Sequence, residues 1–304
     1  MNYTAILTHL PMISDYRCVY CLMRSYGNKP EKAVIPDEAK ERLTHGMLKV
    51  LNEKWDGISA PDCARDIQKL YRSVTDDQDP YREIKRISND IVLGMYDDLK
   101  EMVKASSDPF ITALKLAIAG NIIDFAVHDH CDLHGTMEKV LNSDFAIDHT
   151  GQLREELRKA KKVLFIGDNA GEIVFDKLLI SEISHPGLTF SVRGAPAIND
   201  ATMEDAEYTG MTSMTRVISS GYDAPTTILS RSGGEFRKCY EEADLIISKG
   251  QGNLEGLIGE RDSRIYFLLM VKCDVIADYL KVEKDSYVVY NDIIAREGDK
   301  NNGK

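Results

Sequence analysis

Residues 162–172 read Lys162-Val163-Leu164-Phe165-Ile166-Gly167-Asp168-Asn169-Ala170-Gly171-Glu172. An unbroken apolar run ends in a short polar, glycine-containing turn, and a helical pattern follows from Glu172 to Ile183. A strand that is apolar on both faces belongs in a sheet covered on both sides. The stretches downstream repeat the pattern. Leu188–Val192 reads as a strand, Met203–Tyr208 as a short helix and Met214–Ser219 as a strand. Ala243–Ser248 and Ile265–Val271 read as apolar strands, Cys273–Leu280 as a helix and Tyr287–Tyr290 as a last strand. Strands alternating with helices predict an α/β fold, a mostly parallel sheet with helices on both faces, over residues 151–304. Arg296–Lys304 is charged and rich in Gly and Asn, and is expected to be unstructured.

Upstream the character changes near residue 150. Apolar residues recur at helical spacing in Asp37–Trp55, at Ala39, Leu43, Met47, Leu48 and Leu51. Pro80 opens a second such pattern, through Ile84, Ile87, Ile91, Val92, Met95 and Leu99. Asp108-Pro109 opens a third, through Ile111, Leu114, Ile118, Ile122 and Phe125, with Asp as cap and Pro in the first turn. Residues 1–150 are therefore expected to form an all-helical domain of about six helices.

The 304 residues suffice for one large domain or two ordinary ones. Lys plus Arg number 38 against 49 Asp plus Glu, a net charge of −11, and no basic patch offsets it, which argues against a nucleic-acid partner. No apolar run approaches the roughly 18 residues of a membrane span. Met1–Pro11 lacks the Lys or Arg of a secretory signal. The cysteines Cys18, Cys21, Cys63, Cys131, Cys239 and Cys273 are too sparse for a disulfide scaffold and read as reduced, cytoplasmic thiols.

Ligands of open α/β sheets bind outside the carboxyl ends of the strands. Three strand ends carry polar or glycine-rich loops: Asp168-Asn169-Ala170-Gly171-Glu172; Arg193-Gly194-Ala195-Pro196 with Asn199-Asp200-Ala201-Thr202; and Lys249-Gly250-Gln251-Gly252-Asn253. Asp168, Asn169 and Asp200 offer hard oxygen ligands of the kind that suit Mg²⁺ or Mn²⁺. Gly171 at a helix start offers N–H groups to an anion. Gly250 and Gly252 permit close backbone approach, and Lys249 adds a cation. Metal, lysine and N–H groups together describe a phosphate site. Each segment also has an ordinary reading, as an Asx turn, a helix cap or a glycine turn. Their joint placement at strand ends favours the site. The Gly-x-x-x-x-Gly-Lys-Ser/Thr loop, the Gly-x-Gly-x-x-Gly fingerprint and the Gly-x-Ser-x-Gly elbow are all absent.

In the helical half, Asn121 and Asp124 share one face of an otherwise apolar helix. They are either a buried hydrogen-bonding pair or a contribution to the substrate pocket. Cys18-Val19-Tyr20-Cys21 is a C-x-x-C without a second pair. It would need ligands from Cys63, Cys131, His128, His130 or His134 to hold a metal, and buried thiols are the plainer reading.

The motifs Cys18-x-x-Cys21, Gly120-Asn121-Ile122-Ile123-Asp124, Gly167–Glu172, Asn199–Thr202 and Lys249–Asn253, in that order, resemble the metal-dependent damage-control phosphatases, long known as domain of unknown function 89. The C-x-x-C resembles the stand-alone microbial and archaeal branch. The resemblance implies a helical N-terminal domain on a Rossmann-like α/β domain. It also implies metal binding by Asp168, Asn169 and Asp200, with a substrate phosphate near that metal and Lys249. Family members hydrolyse small phosphate esters, including sugar phosphates, with Co²⁺, Ni²⁺, Mn²⁺ or Mg²⁺.

The expected activity is thus a metal-dependent phosphomonoesterase acting on a small phosphorylated metabolite. Asp168, Glu172 and Lys249 are the catalytic candidates, with Glu172 either holding the attacking water or orienting Asn169. Asn121, Asp124, Gly171, Gly250, Gln251, Gly252 and Asn253 are the candidates for contact with substrate. Whether water or Asp168 is the nucleophile stays open, as do the native metal and the oligomeric state. The alternatives are a methyltransferase using S-adenosylmethionine, disfavoured by Arg193 where a ribose-binding acid belongs, and a non-enzymatic metal or phospholigand binder.

Overall fold

The structure, a computed structural model, describes residues 15–27, 36–54, 59–120 and 133–302. Six helices precede the sheet among them: α1 (Tyr16–Gly27), α2 (Asp37–Glu53), α3 (Ala60–Thr75), α4 (Arg82–Ala105), α5 (Pro109–Ala119) and α6 (Leu133–Asn142). Helix α5 starts as its sequence requires, with Pro109 in the first turn and the Asp108 carboxylate accepting the Ile111 N–H at 3.2 Å. Helix α3 was not singled out in the sequence. Its apolar stripe, Cys63, Ala64, Ile67 and Tyr71, is narrow and surrounded by charge.

The strands are β1 (Ile147–Asp148), β2 (Val163–Ile166), β3 (Leu188–Val192), β4 (Arg216–Ser219), β5 (Leu245–Lys249), β6 (Ile265–Met270) and β7 (Tyr287–Tyr290). They form one sheet in the order β1-β7-β6-β5-β2-β3-β4. Every neighbouring pair is parallel except β6 and β7. Val163 pairs with Leu188 on one side and Leu245 on the other, so β2 is an interior strand beside the central β5. The chain winds outward through β3 and β4, then returns to β5 and winds the other way. Strand order therefore reverses between β2 and β5, and the crevice above this switch is where α/β folds bind ligands. The two-residue β1, which precedes residue 150, was too short to read from sequence.

Between and after the strands run α7 (Thr150–Lys159), α8 (Glu172–Ile183), α9 (Met203–Tyr208), α10 (Gly234–Glu242), α11 (Gln251–Leu257), α12 (Asp274–Leu280) and α13 (Asp292–Asn302). Strand parity divides the core. Val163, Phe165, Phe190, Leu245 and Ile247 pack with α4, α5 and α8 on one face, while Leu164, Ile166, Ile246, Ile265 and Phe267 pack with α10, α11 and α12 on the other. Helix α5 packs on α8 and on β6, and α4 packs on both α5 and α8. Helix α8 is thereby enclosed, which explains its almost continuous burial from Glu172 to Ile180. The helices upstream of the sheet thus divide. α4, α5 and α6 share the core of the sheet, whereas α1, α2 and α3 enclose a core of their own around Leu22, Leu43, Met47 and Ile67.

The tail departs from expectation. Residues 296–302 continue α13 rather than lying unstructured, because Asn291 caps it, accepting the Ile293 and Ile294 N–H groups at 3.1 Å, and Arg296 pairs with Asp292 at 2.6 Å. No helix among the described residues is long and apolar enough to cross a membrane.

Phe165, fully buried, stacks on Phe190 with ring centroids 5.2 Å apart at the middle of the sheet. Phe165→Ala is expected to destabilise the fold by about 3–5 kcal/mol, measured by urea denaturation. A loss below about 1 kcal/mol would mean that this face is not the main core.

Candidate active site

The loops after β2 and β3 are zipped together at the switch point. The Ala170 N–H donates to Asn199 O at 2.9 Å, the Ala201 N–H donates to Asp168 O at 2.8 Å, and Asn169 and Asp200 form an isolated antiparallel bridge. This backbone pairing brings Asp168, Asn169 and Asp200 into one cluster.

At its centre is Arg193, 3% exposed, which follows β3. Its guanidinium reaches Asp168 at 3.2 Å, forms a short ion pair with Asp200, and donates to Asn253 Oδ1 at 2.9 Å and Thr227 Oγ1 at 3.1 Å. Asn169 Nδ2 donates to Asp168 Oδ2 at 3.1 Å and to Glu172 Oε2 at 3.2 Å. Burial, with the nearby Asp200 and Glu172 carboxylates, holds Asp168 well above the usual carboxylate range, although Arg193 and Lys272 pull the other way.

Lys249 ends β5 and is 0% exposed. Its ammonium meets Ala117 O at 2.8 Å, Glu172 Oε1 at 2.6 Å and Asp176 Oδ1 at 2.6 Å. These three acceptors match its three hydrogens. Burial alone would lower its pKa, but Asp176 and Glu172 hold it above the ordinary value. Burial pushes Asp176 up to about 7 despite that lysine.

The glycine loops serve the protein's own contacts. Gly250 has φ 79°, and a Cβ there would fall 2.0 Å from Asp168 Oδ2, so only glycine permits this approach. The Gly171 N–H, φ 78°, donates to Asn89 Oδ1 at 2.6 Å, so it faces a side chain of α4. A Cβ on Gly252 would meet Pro225 O at 2.1 Å. Gln251 donates to Glu255 at 3.1 Å and to Cys273 Sγ at 3.3 Å, and accepts the Lys272 N–H at 3.1 Å. Asn253 is fully engaged. Besides Arg193, its Oδ1 accepts from Thr227 at 2.8 Å, and its Nδ2 donates to Gly167 O at 3.2 Å and Lys249 O at 2.8 Å.

Asn121 and Asp124 lie outside the described residues, as do Cys131, His128, His130 and the His134 side chain. Cys18 is half-buried and Cys21 exposed. Burial pushes the Cys18 thiol up to about 11, with Glu255 and Cys273 adding to it. Among the described residues, no three His, Cys, Asp or Glu side chains are grouped to hold a metal, and the oxygen cluster above contains only two such residues, completed by an amide.

Arg193, Asn89 and Lys272 were not singled out as site residues in the sequence. The signal for Arg193 and Lys272 was available, since each is the first cation after an apolar strand whose carboxyl end faces the switch. Lys272 is half-buried beyond β6, and its charge is felt at Asp168. Asn89 offered no such signal, because its partner Gly171 is 82 residues away.

Fold and site together define a Rossmann-like α/β protein with a carboxylate-rich polar cluster at its switch point. Residues 14–288 match the damage-control phosphatase ARMT1-like domain, and the chain belongs to that family. A damage-control phosphatase of Pyrococcus horikoshii is 36% identical over 283 residues, covering 90% of this chain and 96% of that protein. One from Archaeoglobus fulgidus is 32% identical over 288 residues, covering 92% and 97%. A solved Pyrococcus horikoshii protein of the domain of unknown function 89 family superimposes with a TM-score of 0.83 at 33% identity, covering 92% of this chain and 99% of that one.

Two outcomes follow from this geometry. Lys249→Ala strands two buried carboxylates, so at pH 7 it should cost about 3–5 kcal/mol in denaturant unfolding, and less at pH 5, where Asp176, pushed up to about 7 by burial, takes up a proton. A solvated surface lysine would cost under about 0.5 kcal/mol. Glu255 is pushed up to about 7 by burial, opposed by its bond from Gln251. Its folded pKa lies above the unfolded one, so its contribution is complete below about pH 4.5 and is lost as pH rises through about 7. Glu255→Gln should therefore reduce the fall in unfolding free energy between pH 4.5 and 7.5 by about 1–3 kcal/mol. An unchanged pH slope would show that Glu255 titrates normally.

Proposed function

We propose that this protein is a metal-dependent phosphatase that hydrolyses small phosphate monoesters, namely sugar phosphates or damaged phosphometabolites. The observation that carries the reading is the convergence of Asp168, Asn169 and Asp200 at the strand-order switch. Four carboxylates, Asp168, Glu172, Asp176 and Asp200, gather around two buried cations, Arg193 and Lys249. The carboxylates outnumber the cations, and two carboxylate groups with an amide oxygen are donors suited to a hard or borderline divalent cation such as Mg²⁺, Mn²⁺, Co²⁺ or Ni²⁺. When bound, such a cation supplies a Lewis-acid centre for a phosphoryl oxygen.

The chain's own groups do the rest. Glu172 has one oxygen on Lys249 and the other on Asn169, which fits the orienting role better than that of a water-holding base. Lys249 acts through Glu172 and Asp176, since its hydrogens are committed within the protein. Arg193 sets the spacing of Asp168 and Asp200. The names of the archaeal relatives, matched over 96% and 97% of their lengths, support a phosphatase. The described cysteines are all unpaired, which supports a cytoplasmic location.

The test is a phosphatase screen over a metabolite panel with each of the four metals, paired with Mn²⁺ calorimetry. EDTA should abolish turnover and added metal restore it, with Ni²⁺ or Co²⁺ outperforming Mg²⁺. Asp168→Ala or Asp200→Ala should lower kcat/KM by about 100-fold or more while circular dichroism stays native. Metal binding with no turnover of any ester would favour a binding protein. Undiminished turnover after chelation would remove the metal.

A further inference from the structure

We infer that Asn89, on α4 and 82 residues from the nearest loop it touches, is the positioning residue that sets the two metal-binding loops in register; the inference rests on the metal-site reading above. Asn89 is 0% exposed. Burying a primary amide is unfavourable unless its groups are paired. Here both ends are engaged, one on the loop after β2 and the other on the first turn of α9. Its Oδ1 accepts the Gly171 N–H at 2.6 Å, and its Nδ2 donates to Asp205 Oδ1 at 3.0 Å.

Each contact lies close to a ligand. Gly171 is two residues beyond Asn169. The other oxygen of Asp205 accepts the Thr202 N–H and hydroxyl, both at 2.9 Å, and Thr202 is two residues beyond Asp200. One rigid amide thus links the loop that carries Asp168 and Asn169 to Asp205 on α9, and Asp205 in turn holds Thr202 just beyond the Asn199-Asp200 turn. Asp205 is held ready to receive it. Lys85, one turn before Asn89 on the same helix, reaches Asp205 Oδ2 at 3.3 Å and Asp79 at 2.9 Å. α4 therefore presents a cation and an amide side by side to the loops, from a helix that is itself buried against α8.

The loops also pair directly through their backbones, as described above, so losing Asn89 leaves them assembled. What is lost is the fixed orientation of the Gly171 peptide and the second donor on Asp205. The expected consequence is a looser donor set, not an unfolded one. Partners outside the coordination sphere are worth about 10–100-fold in metal affinity elsewhere.

The experiment is a calorimetric Mn²⁺ titration, without substrate, of the wild-type full chain, Asn89→Ala and Asn89→Asp, with thermal unfolding of each in EDTA. Asn89→Ala should raise the Mn²⁺ Kd by about 10-fold or more. Asn89→Asp keeps an acceptor for Gly171 but loses the donor to Asp205, and should raise it by about 3-fold or more; it carries the test if the alanine variant fails to fold. A packing role alone would lower the melting temperature and leave the Kd of the folded variants unchanged, and that result overturns the inference. A wild type that binds no Mn²⁺ overturns the metal-site reading, and this inference with it.

Discussion

The ammonium of Lys249 is the constraint around which the switch point is organised. A lysine with no exposed surface is tolerated only if every hydrogen finds an acceptor and its charge is compensated. The three acceptors come from three places: the carbonyl of Ala117 near the end of α5, and the carboxylates of Glu172 and Asp176 one turn apart on α8. Lys249 itself ends β5. A strand, the helix after the neighbouring strand and a helix from upstream of the sheet are thus fixed to one another at one point. Because Glu172 is held there, so is Asn169, whose amide donates to the other oxygen of the same carboxylate.

Around this point carboxylates outnumber cations. Arg193 draws Asp168 and Asp200 together but offers a single positive charge to two carboxylates, and Glu172 stands close enough to raise Asp168 further. A buried carboxylate whose pKa is raised by its neighbours is one whose ionised form gains most from added positive charge. Arg193 is in turn tied to Asn253 and Thr227, so the distance between Asp168 and Asp200 is set by a braced guanidinium and not by the two carboxylates themselves.

Much of this was legible in the sequence, for a physical reason. Strands buried on both faces leave long apolar runs, and a loop at the end of such a run stands out when it is polar; this is how Asp168, Asn169, Asp200 and Lys249 were found. The direction in which Lys249 points follows from strand parity. Leu245 and Ile247 face α5 and α8, and Lys249, two residues further along the same strand, faces them too. The glycines were read as room for a ligand, whereas Gly250 makes room for the Asp168 carboxylate and Gly171 gives its N–H to Asn89. Local sequence shows that a close approach occurs, not what approaches. Helix α13 was missed because composition outweighed its cap, Asn291, in the reading of the tail.

The helices before the sheet also take a different part from the one their sequence position suggests. An amphipathic helix placed ahead of an α/β sheet reads as a separate cap, since sequence separation is all that distinguishes the two. Yet α4 and α5 lie against α8 and complete its burial, and each sends one group into the polar cluster: Asn89 from α4 and the Ala117 carbonyl from α5. Helix α3 makes a third connection, with Arg72 donating to Pro196 O at 2.9 Å in the loop that leads to Asp200, and Tyr222 hydrogen-bonding to Asp62. Each of these three helices is therefore hydrogen-bonded either to the cluster or to the loop that leads to Asp200. The polar cluster is therefore not built by the α/β half alone: the Gly171 N–H and one hydrogen of Lys249 find their partners on helices upstream of the sheet.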